Sequence, residues 1–135
     1  MKEIIAVVRM NKVSATKKAL VKVGAAGFTA SKVRGRGKLV VDRSIIAERK
    51  KALLALAQKN DYNTKKMITE FLNGTRLFPR RLFNVFAHDD DVPKIVAAII
   101  EANQTEYKVG DGKIFVLPVL DAVRVRTKET GEAAI

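Results

Sequence analysis

Two strand-helix-strand patterns, one near each end of the chain, limit the possible fold more than any other feature of this sequence. The first begins with an apolar, β-branched strand at residues 3–9, continues with a helix over 14–23 and ends with a strand over 28–36. We expect Ser14 to cap the start of the helix and Gly24 to end it.

The same order of elements returns in the second half of the chain. A strand is predicted over residues 82–87, a helix begins at Asp90 and Asp91 with Pro93 in its first turn, and a strand follows over 113–119. The apolar residues of this helix form one stripe: Val92, Ile95, Val96, Ile99 and Ile100. Two such units in tandem predict an α+β fold of the ferredoxin-like, split βαβ type, with one sheet and both helices on one face.

A long insertion at residues 38–81 separates the two units within what we expect to be a single domain, 1–135. Unstructured loops of this length are rare in compact domains and are usually functional. The pattern predicts helices over 44–58 and 63–72, with a turn at 60–63 between them. A basic helical hairpin of this kind is suited to binding a partner, and the alternative is that it packs on its own domain.

Charge and composition narrow the classes of function. The 135-residue chain has a net charge of +12 and no cysteine, so we expect a cytoplasmic protein without disulfides that attracts nucleic acid, nucleotides or an acidic protein. No stretch has the length of a membrane helix or the pattern of a signal peptide. The insertion supplies the residues that we expect to contact a partner: Arg43, Arg49, Lys50, Lys51, Tyr62 and Arg76.

Glycines and basic residues near the C-terminus indicate phosphate binding. In Gly110-Asp111-Gly112-Lys113, the glycines allow backbone N–H groups to face an anion and the lysine adds a positive charge. Arg124 and Arg126 would point to one face of an extended segment. The alternative is a glycine turn followed by a solvated basic strand.

A second glycine-rich element, Gly35-Arg36-Gly37-Lys38, lies where the insertion leaves the sheet. Its glycines permit close approach of the backbone to a ligand, and the lysine adds charge. Together with the C-terminal element, it predicts two phosphate-facing turns that meet in one cleft.

The residues of common catalytic sites are missing. The glycine motifs match neither the P-loop nor the dinucleotide fingerprint, and no nucleophile or general base stands out, so we do not predict an enzyme. His88 precedes Asp89, Asp90 and Asp91, which could hold a cation. We instead expect the aspartates to cap the following helix, and we predict no metal site.

Several of these motifs resemble the PII signal-transduction family, the GlnB-like nitrogen regulators. Residues 110–116, 124–127 and 132–135 are similar to the family's C-terminal signature, and residues 33–38 are similar to the segment that enters its T-loop. The insertion 38–81 would be a T-loop of about twice the usual length. This length and the opening Val7-Val8-Arg9-Met10-Asn11-Lys12 resemble the second PII-like protein of nitrogen-fixation operons in methanogens and anaerobic bacteria.

The resemblance implies a trimer of ferredoxin-like subunits with ATP or ADP in the clefts between them. By position in the family motifs, the phosphates would be held by Gly35, Gly37, Lys38, Gly110, Asp111, Gly112, Lys113, Arg124 and Arg126. The base and ribose would meet Gly27, Phe28 and Thr29 of a neighbouring subunit, and Phe86 would line the adenine pocket.

The sequence departs from the family at the effector site. Leu39 stands where the family has a T-loop glutamine that helps to hold magnesium and 2-oxoglutarate, and a leucine has no oxygen to offer a cation. Whether this subunit alone binds magnesium and 2-oxoglutarate is therefore left as an open question. A sister subunit could supply the missing oxygen ligand. Tyr62 has surroundings that do not match the modified tyrosine of some members, so we predict no modification.

The leading hypothesis is a nucleotide-sensing regulator whose T-loop controls a nitrogen-metabolism protein, first of all dinitrogenase. It would act as a homotrimer or as a hetero-oligomer with a sister PII-like protein, without a membrane partner. The alternative is a basic, ferredoxin-like nucleic-acid-binding protein. We do not favour it, because the sequence does not indicate paired exposed aromatic residues on the strands, as an RNA-binding sheet displays.

Overall fold

The computed structural model describes residues 1–37, 62–72, 75–106 and 110–135. By its internal contacts the chain divides into two units. One comprises Met1–Val33 together with Pro79–Ile135, and the other is Arg34–Phe78. Each unit is described by itself.

Four strands form one sheet. They are β1 (Lys2–Arg9), β2 (Phe28–Gly35), β3 (Phe78–Ala87) and β4 (Lys113–Pro118), in the order β2-β3-β1-β4. Strand β1, one of the two inner strands, runs antiparallel to both β3 and β4. This order is that of the split βαβ fold, and it confirms the predicted α+β, ferredoxin-like architecture.

Strand β3 begins earlier than the sequence predicts. Phe78 opens it, four positions before the expected start, so residues that we placed at the end of the insertion belong to the sheet. Arg80 and Arg81 are poor strand formers, but they pair with Arg9 and Val8 of β1. Cross-strand pairing in the folded sheet outweighs this local preference.

Three helices are described: α1 (Val13–Lys22), α2 (Tyr62–Leu72) and α3 (Val92–Asn103). Short 3-10 segments lie at Met10–Lys12, Asp89–Asp91 and Gly131–Ala134. Helices α1 and α3 cover one face of the sheet, and their buried residues form one core with alternate residues of β1 and β3. The core consists of Ile4, Ala6, Val8, Leu20, Phe83, Val85, Ala87, Ile95 and Ile99.

The C-terminal end of α1 agrees with the prediction. Gly24 has φ +76°, its N–H donates to the carbonyl of Val21, and the N–H of Ala25 donates to the carbonyl of Leu20. This pair of bonds is a Schellman motif, which requires a residue that tolerates the left-handed conformation.

The predicted N-caps are wrong. Ser14 lies inside the first turn of α1, and Lys12 occupies the cap position without a side-chain bond. Helix α3 likewise begins without a side-chain cap, because a 3-10 turn of Asp89–Asp91 leads into it. Asp91 instead pairs with Lys94 at 2.6 Å. A preceding 3-10 turn already uses the backbone groups at these helix starts, so a capping side chain is not needed.

Within the unit Arg34–Phe78, α2 begins at Tyr62, so the last two positions of the turn predicted over 60–63 are helical. The helix predicted over 44–58 lies outside the described residues. Met67 is half exposed on α2 and Ile68 is partly buried.

In the part of the chain that the structure describes, no helix has the length and apolar character needed to cross a membrane.

Candidate nucleotide site and its surroundings

The loop Gly110–Lys113, called the glycine loop below, is packed against the backbone of β1. Gly110 and Gly112 have φ of +83° and +123°. A Cβ added to Gly112 would lie 2.3 Å from the carbonyl oxygen of Val7, so only glycine fits there without a shift of the backbone. The predicted tight turn is therefore present, and its close packing fixes where its N–H groups lie.

Asp111 organises the glycine loop from within. Its carboxylate accepts hydrogen bonds from the hydroxyl of Thr105 at 2.6 Å and from the Thr105 backbone N–H at 2.8 Å. Arg9 Nη2 lies 3.2 Å from the same carboxylate, and Arg9 Nε donates to the carbonyl of Gly110 at 2.8 Å. The Thr105 bonds, with the charge of Arg9, hold the pKa of Asp111 below its usual value. The carboxylate therefore stays charged and holds the loop closed.

Arg9 is a site residue that the sequence reading did not assign. It ends β1 far from the loop in sequence, and only the sheet brings the two together. The signal in the sequence that points to Arg9 is a basic residue at the last position of an apolar strand. Lys113, which opens β4, is exposed, and its ammonium lies 6.0 Å from the centre of the Phe115 ring.

Arg124 and Arg126 are not on an extended segment, so that expectation is wrong. Val123 pairs with Thr130, and the residues between them form a turn in which Lys128 has φ +60°. Arg124 donates to Glu129 at 2.6 Å, which holds its guanidinium against the turn. The acidic residue five positions on makes a local ion pair, and this favours a turn over a strand.

The face of the sheet opposite the helices is open and largely apolar. We call it the open sheet face. By strand register it carries Ile5, Val7, Leu82, Phe86, Phe115 and Leu117. Phe86 and Phe115 are 43% and 49% exposed on it. They lie on β3 and β4, which β1 separates, with Phe86 opposite Glu3 and Phe115 opposite Ile5. Two aromatic residues are therefore exposed on one face, but they do not form a cross-strand pair.

Polar residues also lie on the open sheet face. By register they include Lys113 opposite Val7, and Arg80 opposite Arg9, at the end of the sheet beside the glycine loop. Asn84 Nδ2 donates to a carboxylate oxygen of Glu3 at 2.6 Å. Such faces on a soluble protein usually mark an interface or a ligand site.

The remaining predicted contacts are distributed over both units. Gly27 precedes β2, Thr29 is exposed on it, and the Phe28 ring packs against Phe83 with centroids 5.9 Å apart. In the other unit, Gly35 ends β2, and Gly37 follows in a backbone with open space around it. Five further predicted site residues and the effector position Leu39 lie outside the described residues. The five are Lys38, Arg43, Arg49, Lys50 and Lys51.

Two predicted partner contacts are described. Tyr62 is 76% exposed at the first position of α2. The Arg76 guanidinium lies 5.6 Å from the centre of the Phe78 ring, a cation–π arrangement. Both belong to the unit Arg34–Phe78, and both present a group that a partner can contact.

His88 and Asp89 tie the C-terminal segment to the start of β1. The Met1 amine donates to Asp89 at 2.6 Å and to Glu132 at 2.8 Å, and Glu132 also pairs with His88. Hydrogen bonds from the amine lower the pKa values of both carboxyls, and those two carboxyls raise the pKa of the amine. Among the described residues, no group of three or more metal-ligating side chains is found.

The fold and the glycine loop together define a class of protein, the ferredoxin-like α+β domains with a close-packed glycine turn beside an open sheet face. Comparison with known proteins then specifies the family. The family model "Nitrogen regulatory protein P-II" matches residues 1–129. The chain belongs to the nitrogen regulatory protein P-II family, and it is a regulatory signal protein and not an enzyme.

Individual relatives agree with this assignment. The chain is 41% identical to "Nitrogen fixation nifHD region GlnB-like protein 2" of Methanobacterium ivanovii, over 100% of this chain and 99% of the relative. It is 40% identical to "Nitrogen fixation nifHD1 region GlnB-like protein 2" of Methanosarcina barkeri over the same shares. It is 35% identical to "Nitrogen regulatory protein P-II" of Cereibacter sphaeroides over the full length of both chains.

Proposed function

We propose that this protein senses adenine nucleotides at clefts between the subunits of a trimer and controls a nitrogen-metabolism target through its T-loop. The observation that carries the proposal is the glycine loop. Its backbone is held in one arrangement before a ligand binds. Two glycines have positive φ, Gly112 packs closely on Val7, and Arg9 contacts both Asp111 and the carbonyl of Gly110. A preorganised turn with a lysine beside it is suited to a polyphosphate.

The remaining predicted residues complete a nucleotide cleft in this proposal. Phe86 offers an apolar wall for adenine on the open sheet face, Lys113 a charge for the phosphates, and Arg126 an exposed guanidinium. Gly27 and Thr29 would approach from a neighbouring subunit. A site that needs groups from two copies requires assembly, and the apolar open sheet face supplies area for it.

The target is the finer part of the proposal. Relatives named for a nitrogen-fixation region support dinitrogenase as the first candidate, reached by the basic T-loop. A net charge of +12 favours an acidic surface on the partner, and docking should then slow as salt rises. The Leu39 side chain has no oxygen that could bind a cation. We therefore propose magnesium and 2-oxoglutarate as effectors only where another subunit supplies an oxygen ligand.

A specific observation favours a second candidate, the nucleic-acid-binding protein. Phe86 and Phe115 are exposed on one face, with Lys113 near the Phe115 ring, and each ring could stack on a base. The glycine loop has no role in that alternative, which is why the nucleotide-sensing function ranks above it.

The test is calorimetric titration of ATP and ADP, with and without magnesium and 2-oxoglutarate. Wild type should bind with micromolar affinity, and Lys113→Ala should weaken binding at least tenfold. The matched control is Lys94→Ala, which removes a lysine that already pairs with Asp91 on α3. If wild type binds neither nucleotide but binds a short single-stranded RNA, the second candidate replaces the first.

A further inference from the structure

The outer surface of α1 is strongly basic. Lys17, Lys18 and Lys22 are exposed there, and the side chain of Val21 among them is 69% exposed. Val21 lies four positions after Lys17 and three after Lys18, so these residues share one side of the helix with Lys22. We call these four residues the α1 lysine face. The opposite side of α1 is buried through Leu20, so the core does not use this face.

The lysines of this face have no counter-charge in their own part of the chain. The sequence contains no acidic residue between Glu3 and Asp42, so α1 has none. None of the three lysine side chains forms an ion pair or a hydrogen bond with another residue that the structure describes. On α3, by contrast, Lys94 pairs with Asp91 at 2.6 Å. The positive charge of α1 is therefore left uncompensated within the described ranges.

This arrangement works against the stability of the helix itself. Lys18 and Lys22 are four positions apart, where like charges destabilise a helix and a glutamate before a lysine stabilises it. The first turn of α1 also has no acidic residue, which would favour the positive end of the helix. Residues that oppose local stability without a compensating contact are expected at functional sites. The α1 lysine face therefore has the character of a binding surface.

The chemistry of the face indicates a protein as its partner. An exposed apolar side chain surrounded by charges is typical of a protein interface, which has an apolar centre and a polar rim. A nucleic acid would place phosphates against Val21, and the face has no aromatic residue on which a base could stack. A bilayer would need an apolar helix face, and that of α1 is already buried in the core. The matching surface is acidic, with an apolar side chain at its centre.

We propose that the α1 lysine face docks an acidic surface of the target protein that the T-loop controls. Val21 contacts an apolar side chain of the target, and the three lysines face its carboxylates. Their attraction speeds association and weakens as salt rises. Docking at two surfaces of one target also raises the overall affinity above that of either contact. The inference deepens the proposed function and rests on it for the identity of the target.

Charge reversal at one lysine tests the docking. The probe is dinitrogenase, the first candidate target, and its binding is measured by surface plasmon resonance at several salt concentrations. Lys18→Glu should weaken binding about tenfold and reduce its dependence on salt. The same variant should keep or raise the urea midpoint, because the new glutamate pairs with Lys22 one turn later. Weaker binding with an unchanged or higher midpoint cannot come from unfolding.

The matched control is Lys94→Glu, which makes the same change of charge on α3. It should alter binding by no more than about twofold, because it removes only an exposed ion pair with Asp91. Val21→Ser adds a second arm, since it removes the apolar contact without a change of charge. It should weaken binding and leave the dependence on salt as in the wild type. Equal losses in Lys18→Glu and Lys94→Glu would overturn the inference.

The outcomes separate this inference from the proposed function. If dinitrogenase binds the wild type and both α1 variants equally, the docking surface is wrong and the target stands. If dinitrogenase does not bind the wild type, the target is wrong, and a glutamate-rich helical peptide with a central leucine becomes the probe. Peptide binding that both α1 variants lose then supports the docking of an acidic protein, whereas equal binding by all three proteins contradicts it.

Discussion

At the scale of single residues, the glycine loop depends on one position without a side chain and on one carboxylate directed inward. Gly112 allows the loop to contact the backbone of β1, and Asp111 closes the loop by accepting from Thr105. Arg9 connects β1 to the loop, because its guanidinium contacts the Asp111 carboxylate and donates to the carbonyl of Gly110. The loop is therefore held by contacts that its glycine pattern alone does not reveal.

Replacing Gly112 by alanine should disrupt this arrangement. The new Cβ would meet the Val7 carbonyl and force an alanine to adopt φ +123°, so we expect a loss of about 1–3 kcal/mol in the free energy of unfolding. Urea unfolding measures the loss. Gly27→Ala is the control, because its Cβ would meet no atom within 4 Å, and equal losses in the two variants would show that the contact with Val7 has no special cost.

At the scale of elements, a buried polar contact joins the two helices that cover the sheet. Thr16 of α1 is fully buried, and its hydroxyl donates to the carbonyl of Lys12 while accepting from Asn103 of α3. Sequence pattern identifies the apolar stripe of each helix, but the pairing of these two polar residues depends on how the helices pack. The contact sets the register between α1 and α3.

Thr16→Val should destabilise the protein by about 1 kcal/mol or more, because Asn103 Nδ2 loses one of its two acceptors in a buried place. The matched control for Thr16→Val is Thr69→Val on α2. Thr69 also donates to the carbonyl four positions earlier, at 2.9 Å, and its hydroxyl accepts no bond from an asparagine in the described structure. Chemical denaturation of both variants gives the comparison, and a Thr69→Val loss as large as that of Thr16→Val would argue against the interhelix bond.

At the scale of the whole molecule, ionised groups hold distant segments of the chain together. Asp111 ties the glycine loop to the end of α3 through Thr105, while Asp89 and Glu132 hold the C-terminal tail, residues 119–135, at the Met1 amine. All three carboxyls have pKa values below their usual ones because they accept hydrogen bonds, and the amine has a raised pKa. Assembly of these segments therefore depends on pH in both directions.

Stability should be greatest near neutral pH and should fall on both sides. A carboxyl with a lowered folded pKa stabilises the fold above its unfolded pKa of about 4, and this is lost as the pH falls through the folded value. The amine, with its raised pKa, stabilises the fold below about 8, and this is lost as the pH rises through its folded pKa. Urea midpoints across this range measure both effects.

Glu132→Gln identifies the contribution of the tail to this profile. The variant should flatten the acid side in part and should increase hydrogen exchange in the tail more than in β1. Asp121→Asn serves as its control, since Asp121 accepts from Ala122 and Gly131 within the tail and does not bind the Met1 amine. An acid profile identical to that of wild type would exclude Glu132 as a source of the dependence.

The sequence by itself determined the two strand-helix-strand units, the end of α1 at Gly24 and the glycine loop. Each is a local matter, since periodicity, a left-handed glycine and turn chemistry act over a few neighbouring residues. The family could be identified for the same reason, because its motifs are short and contiguous. The second helix begins directly after Asp91, as predicted, but neither Ser14 nor the aspartates form the side-chain caps expected of them, and a 3-10 turn precedes each helix.

Only the tertiary structure decided which distant residues meet. Arg9 reaches the glycine loop, Phe86 and Phe115 share a face, and Asn103 bonds to Thr16 of another helix, all through strand register and helix packing. Arg124 pairs with Glu129 in a turn, although its spacing from Arg126 suggested a strand. Such contacts depend on the free energy of the whole folded chain, in which pairing and burial outweigh local preference.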